Sequence, residues 1–309
     1  MSNKRAIVIV GAPRSGTSLL HKILRESPGT ISVPHESSII WNKHISPSRN
    51  DWKFEGAVIS HLDKGEIELI RKEFNDKAMS DKKWKLWSRL GLMQSPELAK
   101  IIRWLYPKIY PLFSTLLKPD NTQLRLIEKT VHGGLWMDLI DKVLEKPIFI
   151  HLTRDGVKTI RSIANGWHEP ERFGCYHLPK QIPYQDEKFQ NTWCFPLIKN
   201  WENISDRPLI EIATYQWIQI QKNILDYSKE QSLNERYIRV KLEDLVDKPE
   251  TLPKLLKKLD LPVTGYFEKF VDDMPKVNAT KGVFIELNDI EKRWIKKQIK
   301  EVNASLNYL

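Results

Sequence analysis

Cysteine and long apolar runs are both scarce in this 309-residue sequence, and each shortage excludes a class of protein. The two cysteines, Cys175 and Cys194, cannot build a disulfide framework and lack the spacing of metal ligands, so they indicate plain buried thiols. No apolar run approaches the ~18 residues that cross a bilayer, and the first one, Ala6 to Val10, has only five. We therefore expect a cytoplasmic protein without a secretory signal or a membrane partner.

Acidic residues are outnumbered, because 49 lysines and arginines stand against 39 aspartates and glutamates and give a formal charge of +10. This excess predicts an anionic partner, which could be nucleic acid, an acidic membrane or a polyphosphorylated small ligand. With 41% hydrophobic residues, the composition excludes a disordered chain. The length suffices for one extended α/β domain or two smaller ones.

Three segments have the pattern of strands followed by helices. Ala6–Val10, Ile148–Thr153 and Tyr237–Leu242 are apolar or alternating, and apolar residues at helical spacing follow each of them. Alternating strands and helices favour a parallel sheet. Near the end of the chain, Asn288 and Glu291 have the spacing of a capping box at the start of a last helix. The predicted fold class is α/β, with three layers and a central parallel sheet flanked by helices.

Two stretches, at about 32–121 and 166–201, interrupt this alternation. The first has a mainly helical pattern, including a helix that begins near Ser95 and ends before Pro107. The second is rich in proline and aromatic residues and has the character of a lid or loop. No linker separates either stretch from the sheet, so we interpret both as insertions in a single domain spanning residues 1–309.

A glycine-bracketed segment, GAPRSGTS at Gly11–Ser18, stands between the first strand and its helix. Backbone N–H groups at such a turn and the dipole of the helix that follows bind anions. Compared with the nucleoside-triphosphate pattern GxxxxGK[ST], the segment has Thr17 where the lysine belongs. Its positive charge comes earlier, from Arg14. The segment therefore favours a phosphate ester other than ATP.

The stretch PRSGTSLL resembles the 5′-phosphosulfate loop of sulfotransferases that use 3′-phosphoadenosine 5′-phosphosulfate (PAPS), in the branch with arginine in the loop. In RDGVKTIRS, Arg154 and Ser162 resemble the family's 3′-phosphate motif, and their spacing lets both converge on one anion. The resemblance implies a P-loop-like fold and PAPS as donor, with 3′-phosphoadenosine 5′-phosphate (PAP) as product. The implied cofactor-binding residues are Arg14, Ser15, Gly16, Thr17, Ser18, Arg154 and Ser162.

Further motifs extend the resemblance to catalysis. IEKT is similar to the strand end whose lysine reaches the phosphosulfate bridge, which implies Lys129, and Arg14 would join it on the sulfuryl oxygens. VPHES resembles the turn that carries the catalytic glutamate, so Glu36 is the expected base and His35 the reserve. Lys281 stands where a C-terminal cofactor-binding loop is expected. Fixed cations can stabilise the transferred group, so we expect no metal.

The expected acceptor is a small molecule or natural product, modified on a hydroxyl or, as second choice, an amine. Aromatic and histidine side chains in or near the insertions can stack on such a molecule. Three of them are the substrate-binding candidates, Trp41, His132 and Trp167. Others with the same character are His168, Tyr176 and Tyr184.

Three alternatives stay open. A P-loop kinase or NTPase would require a lysine near Thr17 and an aspartate for magnesium. A nucleic-acid-binding protein would require a basic face, whereas the basic residues here mostly alternate with acids. A family member that binds nucleotide without activity is the third alternative, and Arg14, Lys129 and Glu36 argue against it.

Overall fold

A computed structural model describes most of the chain. The described residues are 4–33, 36–55, 62–89, 124–173, 175–182, 190–230, 233, 235–263 and 285–308.

Seven strands are present in these residues: β1 Ile7–Val10, β2 Thr30–Ser32, β3 Arg125–Lys129, β4 Ile148–Thr153, β5 Cys175–His177, β6 Thr192–Cys194 and β7 Tyr237–Lys241. Five of them form a parallel sheet in the order β2-β3-β1-β4-β7. The other two, β5 and β6, pair antiparallel as a separate small sheet.

The α-helices of the described residues alternate with these strands. They are α1 Thr17–Leu24, α2 Ser38–Ile45, α3 Lys64–Arg89, α4 Met137–Val143, α5 Gly156–Trp167, α6 Leu209–Ser228, α7 Leu242–Asp247, α8 Thr251–Lys258 and α9 Asp289–Ser305. None of these helices is long and apolar enough to cross a membrane.

The sheet is buried on both faces, which explains the unbroken apolar run of β1. Ile7 and Ile9 pack on one side with residues of α1 and α8. Val8 and Val10 belong to the larger core on the other side, which α5, α6 and α9 cover. The predicted three-layer α/β fold with a P-loop-like arrangement is therefore confirmed.

The last helix begins as predicted, because Asn288 and Glu291 form both hydrogen bonds of a capping box. Its buried stripe consists of Ile295, Ile299 and Val302. Ile290, an apolar residue of the same helix, is 72% exposed. It stands five positions before Ile295, and this spacing turns its side chain well away from the stripe.

The two inserted stretches differ in structure. The first is helical where it is described, with α2 and α3, and the helix predicted from Ser95 lies outside the described residues. The second, predicted as a lid or loop, contains β5 and β6. Each of these strands has only three residues, which is too short for the alternation that identifies a strand in a sequence.

Candidate active site

Three neighbouring parallel strands bring the predicted phosphate-binding segments to one edge of the sheet. β1 leads into the loop at 11–16, β3 ends at Lys129, and Arg154 follows β4 directly. The register pairs Ile9 of β1 with Lys129 of β3. Ligands of open α/β sheets bind outside the carboxyl ends of the strands, so this edge is the candidate site.

The loop after β1 makes a close turn that requires glycine at two positions. A Cβ on Gly11 would lie 2.5 Å from the Leu152 carbonyl oxygen, because the loop packs directly on β4. Gly16 has a φ of 96°, in the left-handed region, and α1 begins at the next residue. Ser15 holds the turn, since its N–H and its Oγ both donate to the Ala12 carbonyl, at 3.2 and 2.7 Å. The N–H groups at the start of α1 have no side-chain cap and suit an anion.

Arg14 leaves the loop toward α5. Its Nε donates to Ser162 Oγ at 3.1 Å, and its guanidinium lies 4.6 Å from the centroid of the Phe173 ring. Arg154 in turn donates from Nη1 to the Arg14 carbonyl oxygen at 3.1 Å. The resemblance assigned Arg14 to the sulfuryl oxygens. In the structure its guanidinium instead contacts Ser162, one of the two residues predicted to bind the 3′-phosphate.

The cluster around Arg14 is rich in positive charge. Burial, followed by the charges of Arg172 and Arg154, lowers the pKa of Arg14, and the carboxylate of Glu169 only partly opposes this. Glu169 also pairs with Arg172, at 2.9 Å. Two guanidinium groups close to that of Arg14, against a single carboxylate, favour binding of an anion. Neither Arg172 nor Phe173 was predicted, because neither belongs to a recognisable motif.

Lys129 is buried and has two partners. Its Nζ donates to Ser18 Oγ at 2.9 Å and forms an ion pair with Glu36. The lysine side chain is 1% exposed and the glutamate side chain 33%. The structure therefore brings together two of the predicted catalytic residues. Beside them lies a cleft of about 340 Å³, lined by Ser18, His21, Lys22, Arg25, Glu26, Glu36 and Lys129.

A second carboxyl group, that of the buried Glu128, anchors the segment that carries Glu36. Oε1 of Glu128 accepts hydrogen bonds from Ser37 Oγ and from Trp41 Nε1, while Oε2 has no partner among the described residues. Burial raises the pKa of Glu128 to about 7, although both hydrogen bonds oppose the shift. The Ser37 N–H also points at the Lys129 carbonyl, at 3.5 Å. The neighbouring residues Glu36 and Ser37 thus contact the neighbouring residues Lys129 and Glu128 of β3. These paired contacts hold Glu36 against Lys129.

His132 follows β3 closely and is held by a carboxylate that the sequence did not suggest. Both oxygens of Glu55, which is fully buried, lie 2.8 Å from His132 Nδ1, and Oε1 also accepts from the Leu197 N–H at 2.6 Å. The Trp136 ring stacks on the imidazole at 5.5 Å. The Tyr176 ring contacts the imidazole edge-on, and burial, followed by the charge of Glu55, raises the pKa of Tyr176 well above its ordinary value. Glu55 lies 77 residues from His132 in the chain, so no local motif links the two.

The backbone that follows β4 is held by residues from the C-terminal part of the chain. Glu243 accepts the Asp155 N–H at 2.9 Å and the Tyr308 hydroxyl at 2.8 Å. The Asp155 side chain caps α5 by accepting from the Lys158 N–H. These contacts fix the backbone next to Arg154, so Glu243 has a structural role in supporting the site.

Of the predicted acceptor contacts, Trp41 and Trp167 are core residues. Trp41 is fully buried against Glu128, and Trp167 is 4% exposed and donates to Gln216 Oε1 at 3.2 Å. His132 is just as enclosed, at 3% exposed, so the role of all three in acceptor binding stays a prediction. The hydrogen bonds of the two indoles explain why tryptophan is tolerated in the core. His168 is exposed at the end of α5. The predicted residues His35, Tyr184 and Lys281 lie outside the described residues.

The fold and the site define an α/β protein with a P-loop-like turn after its first strand. The sequence profile of the Sulfotransferase family matches residues 6–188, more than half of the chain. The chain therefore belongs to the sulfotransferase family and is a transferase.

Solved structures of sulfotransferases are similar to this chain along its length. The sulfotransferase domain from the curacin biosynthetic pathway is 14% identical, with a TM-score of 0.45 over 97% of this chain and 99% of that one. The sulfotransferase domain of the Synechococcus PCC 7002 olefin synthase is 16% identical, with a TM-score of 0.45 over 97% and 96%. Sulfotransferase STF9 from Mycobacterium avium is 13% identical, with a TM-score of 0.49 over 99% and 77%. No curated protein matches the chain significantly in sequence.

Proposed function

We propose that this protein transfers a sulfuryl group from PAPS to a hydroxyl of a small-molecule or natural-product acceptor, with an amine as the second choice. The observation that carries the proposal is the ion pair of Lys129 and Glu36 at one sheet edge, beside the uncapped start of α1 and the cationic cluster of Arg14 and Arg154. Two separate phosphate sites can bind the two phosphate groups of one nucleotide. The Glu36 carboxylate can accept the proton that the acceptor must lose.

The residues present fit such a nucleotide. The close packing of Gly11 on β4 and the uncapped start of α1 leave backbone N–H groups for the 5′-phosphate. Arg154 and Ser162 would hold the 3′-phosphate, joined by Arg14 from the loop. Burial, and after it the repulsion between guanidinium groups, lowers the pKa of Arg14, and the negative charge of a phosphate there would counter both effects.

PAPS supplies a sulfuryl group activated by attachment to phosphate, and transfer requires neutralisation of spread negative charge. Lys129 is the cation placed for this task. Because its ammonium is buried, it interacts with an anion more strongly than an exposed lysine would. Ser18 orients its Nζ from the first turn of α1. Arg14 contributes mainly to nucleotide binding in this account.

Glu36 is the proposed base. Its carboxylate is one-third exposed, lines the cleft and contacts Lys129, so an acceptor hydroxyl in the cleft can donate to it. When Glu36 takes up the proton of the acceptor, its ion pair with Lys129 weakens. The Lys129 ammonium can then stabilise the negative charge that develops on the transferred group. Proton removal and charge neutralisation are thereby coupled through one contact.

Assays with labelled PAPS and a panel of hydroxyl and amine acceptors test this function. We expect label on an acceptor and release of PAP, with undiminished rates in EDTA. A P-loop kinase or NTPase would turn over ATP with magnesium instead, which Thr17 in place of lysine argues against. PAP binding without transfer to any acceptor would favour the inactive family member. The cytoplasmic location stays a prediction.

A further inference from the structure

Cys175 and Cys194 lie directly opposite each other in the small antiparallel sheet. The register pairs Cys175 with Cys194, Tyr176 with Trp193 and His177 with Thr192. Side chains of directly opposite residues project from the same face of a sheet. The two cysteines of the chain, 19 positions apart in sequence, are therefore neighbours in space.

The hydrogen-bond pattern shows which kind of pair they form. One step beyond His177 and Thr192, the Leu178 N–H donates to the Asn191 carbonyl at 2.7 Å. Leu178 and Asn191 are therefore a hydrogen-bonded pair, and the cysteine pair lies three pairs away from it in the ladder. Because hydrogen-bonded and non-hydrogen-bonded pairs alternate along an antiparallel ladder, the cysteines form a non-hydrogen-bonded pair. Cα atoms of such pairs are about 4.5 Å apart. This spacing lies within the range of about 4.4–6.8 Å that a disulfide spans.

The two thiols differ in access. Cys194 is fully buried, whereas Cys175 is partly exposed and its Sγ donates to the Pro170 carbonyl at 3.4 Å. A hydrogen bond with the Cys175 thiol, together with burial, raises the pKa of Cys194. An oxidant from solvent therefore meets Cys175 first, and Cys194 is in place to react with the oxidised sulfur.

We propose that Cys175 and Cys194 are a reversible dithiol–disulfide modification site whose oxidant is hydrogen peroxide. The Cys175 thiolate attacks peroxide, the O–O bond breaks, and a sulfenic acid forms while the hydroxide leaves as water after protonation. The Cys194 sulfur then attacks the sulfenic sulfur, so that the S–S bond forms, the S–O bond breaks and a second water leaves with the thiol proton. Two thiols are oxidised and one peroxide is reduced to two waters. A small dithiol reverses the step.

The pair is placed next to the candidate site. Phe173, two residues before Cys175, lies under the guanidinium of Arg14, and Tyr176 contacts the ring of His132 edge-on. A covalent tie between β5 and β6 would restrain the segment that carries both aromatic rings. A transient disulfide of this kind is compatible with a reducing compartment, where redox-sensing disulfides occur. The proposal does not depend on the proposed sulfotransfer.

Mass spectrometry of the full chain tests the proposal. After mild peroxide treatment we expect the intact mass to fall by about 2 Da, the loss of two hydrogens, and to return with dithiothreitol. A proteolytic map should show one link, between the peptides with Cys175 and Cys194. Cys194→Ser should instead accumulate a sulfenic acid on Cys175 that dimedone traps, and Cys175→Ser should form neither product. Circular dichroism of the reduced variants checks that both fold.

The proposal is overturned if both thiols still react with iodoacetamide after peroxide treatment of the folded protein. It is also overturned if oxidation gives sulfinic or sulfonic acid without a link, or only links between molecules. Thermal unfolding provides a second measurement, since an intramolecular tie should raise the Tm of the oxidised wild type and leave the Tm of Cys194→Ser unchanged.

Discussion

Lys129 and Glu36 form an ion pair in which the lysine is buried and the glutamate is partly exposed. A buried ammonium requires a partner, because an unpaired charge in the interior is costly. Glu36 is that partner on one side and Ser18 of the nucleotide loop on the other. The contact therefore joins the segment after β2, the end of β3 and the start of α1.

Replacing the proposed base tests this contact in catalysis. Glu36→Gln should keep or raise PAP affinity, because it removes a negative charge near the nucleotide, and should lower turnover by about 10²-fold or more. Steady-state kinetics and calorimetry with PAP separate the two effects. Glu26→Gln is the matched control, since Glu26 lines the same cleft but pairs with Arg25, at 3.4 Å. Near-normal turnover of Glu36→Gln would contradict the assignment.

Arg154→Ala should remove recognition of the 3′-phosphate. Loss of a charged hydrogen-bonding partner corresponds to an affinity decrease of roughly 10- to 100-fold for PAP. AMP, which lacks the 3′-phosphate, should bind the wild type and the variant alike. Lys158→Ala on the exposed side of α5 removes the same charge and should leave both affinities nearly unchanged. An equal loss for PAP and AMP would place Arg154 outside the 3′-phosphate site.

Glu128 should make stability depend on pH. Its pKa of about 7 in the folded protein lies above the ordinary 4.5, so its stabilising contribution is full below 4.5 and is lost as the pH rises through 7. Relative to Glu128→Gln, the wild type should lose roughly 3 kcal/mol of unfolding free energy between about pH 4.5 and pH 8. Urea titrations of both proteins across this range measure the difference. A pH-independent difference would show that the carboxyl group stays ionised.

Gly11→Ala should disturb the nucleotide loop. The new Cβ would meet a carbonyl of β4, which cannot move away easily, so we expect a loss of about 1–3 kcal/mol and weaker PAP binding. Gly65→Ala is the control, because its Cβ would meet only the flexible Asp63 side chain, at 3.2 Å, and alanine favours the helix. Thermal unfolding of both variants gives the comparison. Equal Tm values for Gly11→Ala and the wild type would contradict the close packing.

The sequence was sufficient for elements with strong local signals. β1, β4 and the helices that follow them were predicted because buried parallel strands and amphipathic helices have distinct apolar periods. The capping box of Asn288 and Glu291 was predicted because both residues lie within one turn. The catalytic roles of Lys129 and Glu36 were implied by resemblance alone, and their direct contact is a finding of the structure.

Contacts between distant segments could not be predicted in the same way. Glu55 meets His132, and Ser37 meets Glu128, through packing that no single motif contains. The pairing of Cys175 with Cys194 depends on the register of two strands that are too short to recognise. Arg14 contacts Ser162 because its left-handed backbone, with a φ of 68°, sets the direction in which the side chain leaves the loop.

Calorimetric titration of the wild type with PAP, AMP and ATP with magnesium distinguishes a PAPS-dependent sulfotransferase from an ATP-dependent enzyme. We expect PAP to bind at least about tenfold tighter than AMP, since its 3′-phosphate adds charged hydrogen bonds at Arg154 and Ser162. We also expect that magnesium does not increase the affinity for PAP. Tighter binding of magnesium ATP than of PAP, or no binding of PAP, would contradict a PAPS-dependent sulfotransferase.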